Sequence, residues 1–139
     1  MRIAAVLIFI HGIGHTPGHS GWKKAADPVE HQVIQQMTGH SFPFMGATHS
    51  LGDYFEGYGY ACSFTLFLIA ALLWIVSGEL SSESVLAKKI IIATFIALLF
   101  WAIDESIYFF PFAAGLTFLA CTQIFWSLYL WNKKKLATA

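Results

Sequence analysis

Six histidines, all of them before residue 50, are the first residues of this sequence whose type and spacing suit chemistry. His11, His15 and His19 follow one another at intervals of four, so His11 and His15 would lie one turn apart on the same face of a helix. Imidazole binds transition metals, and because it titrates near neutral pH it also accepts and releases protons. The alternative is a structural pair that hydrogen-bonds to backbone carbonyls or to carboxylates of a neighbouring helix.

Carboxylates supply the second part of a candidate site. His49, Asp53 and Glu56 are spaced by four and three, which would put them on one face of a helix that begins near residue 48. Asp104 and Glu105 interrupt an apolar stretch, and charged side chains inserted into a membrane cost about 2.5–3.5 kcal/mol each. Such residues normally face the interior of a helix bundle. The alternative for Asp53 and Glu56 is a solvated first turn of the helix. The alternative for Asp104 and Glu105 is hydration at the membrane interface.

The segments that must position these side chains are typical of membrane helices. The chain has 139 residues, of which 57% are hydrophobic and only 12% are charged, about half the charged share of a soluble domain. The sequence predicts an all-α integral membrane protein, a single-domain four-helix bundle with spans at about 3–16, 54–77, 88–110 and 111–131. The first span is shorter than the ~20 residues that cross a bilayer, and a cleaved signal peptide is its alternative.

One extended polar segment, over 18–46, separates the first two predicted spans. Pro17 is expected to end the first helix, because proline cannot continue the backbone hydrogen bonding. Asp27 followed by Pro28 is a typical helix start, and apolar residues recur at helical spacing after it. The sequence therefore predicts a short amphipathic helix over 27–37, on the membrane surface or over the mouth of the bundle.

Basic residues predict the orientation of the bundle. Four spans would put six basic residues on one side and two on the other: Arg2, Lys88, Lys89 and the lysines at 133–135 against Lys23 and Lys24. Cytoplasmic loops carry the excess of Lys and Arg, so both termini are expected in the cytoplasm and the first loop outside. Histidines and carboxylates from three parts of the chain then fall at one depth, in the outer half of the bundle.

This convergence predicts an outward-facing polar cavity that binds a divalent transition metal. Its candidate ligands are His11, His15, His49, Asp53, Glu56, Asp104 and Glu105. The sequence lacks the Glu-x-x-His pairs of two-metal helical bundles and the His-Glu-x-x-His motif of metalloproteases. Haem is a weaker prediction because no opposed histidine pair is singled out, and no catalytic residue is assigned.

Aromatic residues near the outer ends of the predicted spans give a second interpretation. They suit an apolar pocket for a quinone or lipid-like ligand, in which histidine and carboxylate exchange protons. The candidate pocket residues are Tyr54, Tyr58, Tyr60, Trp101 and Tyr108. A third interpretation is an accessory subunit without chemistry, paired with itself or with another membrane protein. Zero net charge without a basic face argues against nucleic acid, so the lipid bilayer is the expected partner.

Two elements of the sequence resemble a family of small bacterial membrane proteins. They are Gly-His-Thr-Pro-Gly-His at 14–19 and His-Ser-Leu-Gly-Asp-Tyr at 49–54, the latter preceded by a Met-Gly pair. That family carries a Gly-His-Thr-x-Gly-His element after its first helix and a polar element with Asp and Tyr that opens the second. The resemblance implies four spans and a bacterial inner membrane. It makes His15, His19 and Asp53 stronger candidates for a functional role and implies no activity.

Overall fold

The computed structural model describes residues 1–79 and 84–138, with side chains described as far as residue 133 in the last helix. The described residues form five helices and one hairpin, in the order α1 (Arg2–Ser20), α2 (Pro28–Gly39), β1 (Ser41–Phe44), β2 (Ala47–Ser50), α3 (Leu51–Glu79), α4 (Val85–Tyr108) and α5 (Pro111–Thr138). Three helical segments among them are long and apolar enough to cross a membrane: Leu51–Glu79, Val85–Tyr108 and Pro111–Lys133. The chain is therefore a largely helical protein with the helices of a membrane protein.

Residue contacts divide the chain into two compact units. We call Met1–Gly12 with Leu66–Ala139 the bundle unit, and Ile13–Thr65 the histidine unit. Helices α1 and α3 each contribute residues to both units. The site residues predicted from the sequence are divided between the two.

Alanines and branched apolar residues form the core of the bundle unit. The fully buried apolar residues are Ala4, Ile8, Leu66, Ile91, Leu98, Ala102, Ala120 and Ile124. Small side chains let helix backbones approach closely, which favours packing between helices in lipid. Large apolar side chains lie on the outside instead, with Ile75, Phe100 and Trp126 more than half exposed. This distribution suits helices surrounded by hydrocarbon.

A two-residue connection joins α4 to α5. Helix α4 ends at Tyr108, and the Phe109 N–H donates to the Glu105 carbonyl at 3.0 Å. Pro111 then begins α5, where its fixed φ and missing N–H are tolerated. The two helices form a helical hairpin, and Glu105 and Thr117 both lie close in sequence to its turn.

Helix α1 continues past its only proline. The expectation that Pro17 ends this helix is wrong, because α1 extends to Ser20. Pro17 lies so close to the end that its missing N–H removes only one backbone bond. The Pro17 carbonyl still accepts from the Gly21 N–H at 3.1 Å, and the Ser20 hydroxyl donates to the Thr16 carbonyl at 2.7 Å.

Helix α2 confirms the short helix predicted over 27–37. The Asp27 carboxylate accepts from the backbone N–H groups of Val29 and Glu30, both at 2.8 Å, and Pro28 occupies the first helical position. Val29 and Val33 of the predicted apolar stripe are 71% and 49% exposed.

A β-hairpin that the sequence analysis did not predict precedes α3. Strands β1 and β2 pair antiparallel, with Phe42 opposite His49. Met45 and Gly46 connect them at φ values of 49° and 86°, in the left-handed region that two-residue hairpin turns require.

The start of α3 changes the role expected for two residues. Helix α3 begins at Leu51, so His49 lies on β2, and the expectation that it shares a helical face with Asp53 is wrong. Ser50 and Asp53 form a reciprocal capping box. The Asp53 carboxylate accepts from the Ser50 N–H at 2.8 Å, and the Ser50 hydroxyl accepts from the Asp53 N–H at 3.1 Å.

Replacing Gly46 by alanine is expected to destabilise the protein by about 1–2 kcal/mol, because its φ of 86° is unfavourable for residues with a Cβ. Gly39→Ala is the matched control, since a Cβ at Gly39 meets no atom within 4 Å. Thermal unfolding in detergent micelles, followed by tryptophan fluorescence, measures both. Equal losses in the two variants would contradict the turn geometry.

Candidate functional site

Four polar side chains form a cluster inside the bundle unit. They are His11 on α1, Trp101 and Glu105 on α4, and Thr117 on α5; we call them the buried polar cluster. His11 and Glu105 are 5% and 4% exposed, and Thr117 is fully buried. Because water does not reach these atoms, the protein itself must supply their hydrogen-bond partners.

The contacts of the buried polar cluster close a hydrogen-bonded ring. His11 Nε2 lies 3.2 Å from Glu105 Oε1, and His11 Nδ1 lies 3.1 Å from Thr117 Oγ1. The Thr117 hydroxyl lies 2.7 Å from Glu105 Oε2. Trp101 Nε1 donates to Glu105 Oε1 at 2.9 Å. Both imidazole nitrogens and both carboxylate oxygens are therefore engaged.

The helices explain why these four residues meet. Trp101 and Glu105 are four apart on α4, so their side chains lie on the same helical face. The helical hairpin of α4 and α5 brings Thr117 beside them. His11 is the one member from a distant part of the sequence, and it lies on the buried side of α1 with Ile8 and Gly12.

Two proton arrangements each supply one donor and one acceptor for every contact of this hydrogen-bonded ring. In the first, an imidazolium donates from Nδ1 to Thr117, and the Thr117 hydroxyl donates to a carboxylate. In the second, a protonated Glu105 donates from Oε2 to Thr117, and Thr117 donates to Nδ1 of a neutral His11. The His11 Nε2–H and the Trp101 N–H donate to Oε1 in both, which agrees with the donor and acceptor capacity of each group. The cluster can thus move a proton internally without losing a hydrogen bond.

His15 and His19 lie in the histidine unit, where both have polar partners. His15 Nδ1 is 3.1 Å from the Ser63 hydroxyl, which also accepts from the Thr16 hydroxyl at 3.1 Å. His19 Nε2 is 3.0 Å from the Glu56 carbonyl, so Nε2 must carry the hydrogen because a carbonyl only accepts. The two imidazole rings stack with centroids 5.9 Å apart.

The His19 ring lies directly against the backbone of α3. The space beside Gly59 that a Cβ would take is filled by this ring. Phe55 and Tyr60 contact the same ring, with centroids at 5.8 and 5.3 Å. Glycine at position 59 is therefore what allows α1 and α3 to meet here.

Glu56 forms an ion pair with Lys23. The Lys23 ammonium donates to Glu56 Oε2, and both side chains are partly exposed. This hydrogen bond, with the nearby negative charges, raises the pKa of Lys23 above its ordinary value. The Glu56 side chain thus serves an exposed ion pair.

A shallow groove in the histidine unit contains two of the five predicted pocket residues. It has a volume of about 360 Å³, and Tyr54 and Tyr58 line it with His49 and Asp53. His49 Nδ1 and Asp53 Oδ2 are 3.8 Å apart, beyond hydrogen-bond length.

The other predicted pocket residues lie elsewhere. Tyr60 packs on His19, Trp101 belongs to the buried polar cluster, and Tyr108 is 74% exposed.

The seven predicted metal ligands do not share one set of contacts. His11 contacts Glu105, Glu56 contacts Lys23, and Asp104 is exposed. Within residues 1–79 and 84–138, no three His, Cys, Asp or Glu side chains come together in a group that could hold a metal ion. The metal site therefore stays a prediction, and the contacts favour a different use of these groups.

Two hydroxyl residues were missed by the sequence analysis. Thr117 completes the hydrogen-bonded ring, and Ser63 is the partner of His15. Both are buried within long helices that are apolar enough to cross a membrane. Hydroxyls at such positions commonly bond across helices, and this is the signal that could have identified them.

Comparison of the chain with known protein families, curated proteins and solved structures finds no match. The resemblance of the elements at 14–19 and 49–54 to a four-span family stays a prediction. Function must be inferred from the contacts of the residues themselves.

Gly59→Ala is expected to destabilise the protein by about 1–3 kcal/mol, because overpacking forces neighbouring groups to shift. Gly57→Ala, on the same helix, is the matched control, since its added Cβ meets no atom within 4 Å. Chemical unfolding in micelles and the NMR chemical shifts of the His19 ring would measure both effects. An unshifted His19 ring in Gly59→Ala would contradict this packing.

The raised pKa of Lys23 predicts a pH dependence for its ion pair. The pair is fully present below the ordinary lysine pKa, and it is lost as the pH rises through the raised value. Nitrogen-15 NMR of the lysine ammonium measures the titration directly. Glu56→Gln should lower the pKa of Lys23, whereas Glu30→Gln, which removes an exposed carboxylate of α2, should not; equal effects would refute the pairing.

Proposed function

We propose that this chain is a proton-binding protein of the bacterial inner membrane, in which the buried polar cluster holds one proton and passes it between Glu105 and His11. The observation that carries the proposal is the hydrogen-bonded ring through both ends of the imidazole and both oxygens of the carboxylate. Ionisable side chains inside membrane helices are costly and are characteristic of proton relays.

The proton step balances within three side chains. The O–H bond at Glu105 Oε2 breaks as its proton goes to the Thr117 oxygen, and the original Thr117 proton goes to His11 Nδ1. Thr117 begins and ends as a neutral hydroxyl. The product is an imidazolium beside a carboxylate, which attract each other strongly where water is excluded. Trp101 keeps its bond to Oε1 throughout and so holds the carboxylate in position.

We further propose that α1 is a fourth span and that both termini are cytoplasmic. In support, His11 bonds to side chains of α4 and α5, which are both apolar enough to cross a membrane. At the opposite end of these helices, Lys88 donates to Asn132 at 2.8 Å. The start of α4 therefore lies beside the end of α5, and the excess of basic residues in these two segments of the sequence favours the cytoplasmic side.

The experiment must distinguish the proposed proton-carrying role of the cluster from a purely structural role. Polar side chains that bond across helices also hold a bundle together. A structural cluster needs only one fixed proton arrangement, whereas a proton carrier must populate two. The decisive observation is therefore whether Glu105 and His11 share one proton, so that their titrations with pH are coupled.

Infrared difference spectra of the protein in lipid nanodiscs, between acid and alkaline pH, are expected to contain a carboxylic-acid band that disappears in Glu105→Gln. Nitrogen-15 NMR should show the His11 ring changing its protonation over the same pH range. Thr117→Val removes the relay hydroxyl at nearly constant volume. It should uncouple the two titrations and destabilise the protein by about 1–3 kcal/mol, because it leaves buried groups unpaired.

Thr122→Val is the matched control on α5. Its hydroxyl is exposed and bonds only within its own helix, to the Leu119 carbonyl at 2.8 Å. This variant should keep wild-type titrations and stability. If Glu105 and His11 each keep one protonation state from pH 5 to 9 while Thr117→Val merely loses stability, the cluster is structural and the proposed function is wrong.

A further inference from the structure

A narrow apolar groove on the bundle unit runs between α1 and α3. It has a volume of about 290 Å³. Ala5 and Ala70 form its floor and are 2% and 5% exposed, whereas Val6, Phe9 and Trp74 form its rim and are about half exposed. Small residues below and large residues at the edges give the groove its depth.

The two ends of this groove differ in charge. At one end the Arg2 guanidinium lies over the Trp74 ring, 5.4 Å from its centroid. At the other end Phe9 and Phe67 contact each other, with centroids 5.6 Å apart. The groove is therefore closed by aromatic rings at one end and marked by a cation at the other.

The length of the groove suits a hydrocarbon chain. Phe9 follows Arg2 by seven positions along α1, which corresponds to about 10 Å at a rise of 1.5 Å per residue. One leaflet contributes about 15 Å of hydrocarbon, half of a core of about 30 Å. The groove would thus hold much of one acyl chain, with the lipid headgroup at the Arg2 end.

We propose that this groove binds one acyl chain of an anionic glycerophospholipid whose phosphate pairs with Arg2. Arginine binds phosphate through two parallel hydrogen bonds, and anionic lipids attract basic side chains near the membrane surface. A second copy of the chain in parallel orientation would bring a second Arg2 to the same end, where like charges repel. Charge complementarity therefore favours a lipid over a second copy as the occupant.

Native mass spectrometry of the full chain, released from nanodiscs of equal phosphatidylglycerol and phosphatidylethanolamine content, tests this site. We expect one phosphatidylglycerol to be retained at about ten-fold preference, because both lipids carry a phosphate but the ammonium group of phosphatidylethanolamine is repelled by the Arg2 cation. Arg2→Gln should abolish the preference. Ala71→Leu, which fills the groove from its exposed rim, should reduce retention of both lipids.

Lys24→Gln is the matched control, because it removes an exposed basic residue outside the bundle unit and should keep the preference. Circular dichroism of each variant checks that it is folded. An unchanged lipid preference in folded Arg2→Gln would overturn the proposal. A protein dimer without bound lipid, lost in Ala71→Leu, would identify a second copy as the occupant and would overturn it as well.

Discussion

A carboxyl group enclosed by apolar helices must obtain every hydrogen bond from the protein, and Glu105 is such a group. Trp101, Thr117 and His11 all bond to it. Two of these partners come from its own helical hairpin, and the third comes from α1. The cost of leaving a buried carboxyl group unpaired is large, so this requirement fixes which side of α1 faces α4 and α5. Apolar contacts in the core of the bundle unit have no direction, whereas the hydrogen bonds of the ring do.

In the histidine unit, too, the protein supplies hydrogen-bond partners for two of its histidines, which are less buried there. His15 bonds to the Ser63 hydroxyl, as His11 does to that of Thr117. Two histidines of α1, His11 and His15, are thus each matched by a hydroxyl residue of another helix. Hydroxyls suit this task because they donate and accept at once, so they accommodate either tautomer of the ring. Asp53 and Glu56 are used differently, in a helix cap and in an exposed ion pair.

The long apolar helices could be predicted from sequence because lipid leaves a spanning chain few alternatives to helix. Short segments are decided by tertiary contacts instead. The hairpin before α3 depends on pairing between β1 and β2, and its Met45-Gly46 turn is a weak signal alone. Tertiary contacts also decide which residues form the candidate site. His11 and Glu105 stood out as charges in apolar segments, but their pairing depends on the rotation of two helices. Thr117 was not identified because a single hydroxyl in a span is inexpensive and common.

The two-residue turn between α4 and α5 has a consequence for the order of assembly. Trp101, Glu105 and Thr117 lie within 17 residues of one another and can meet as soon as their helical hairpin forms. His11 precedes these partners along the chain, so it is synthesised before any of them. Until α4 and α5 have been made, α1 therefore carries an imidazole that lacks its final partners. Docking of α1 is then the step at which the cluster first acquires its second ionisable member, so completion of the fold and completion of the site are one event.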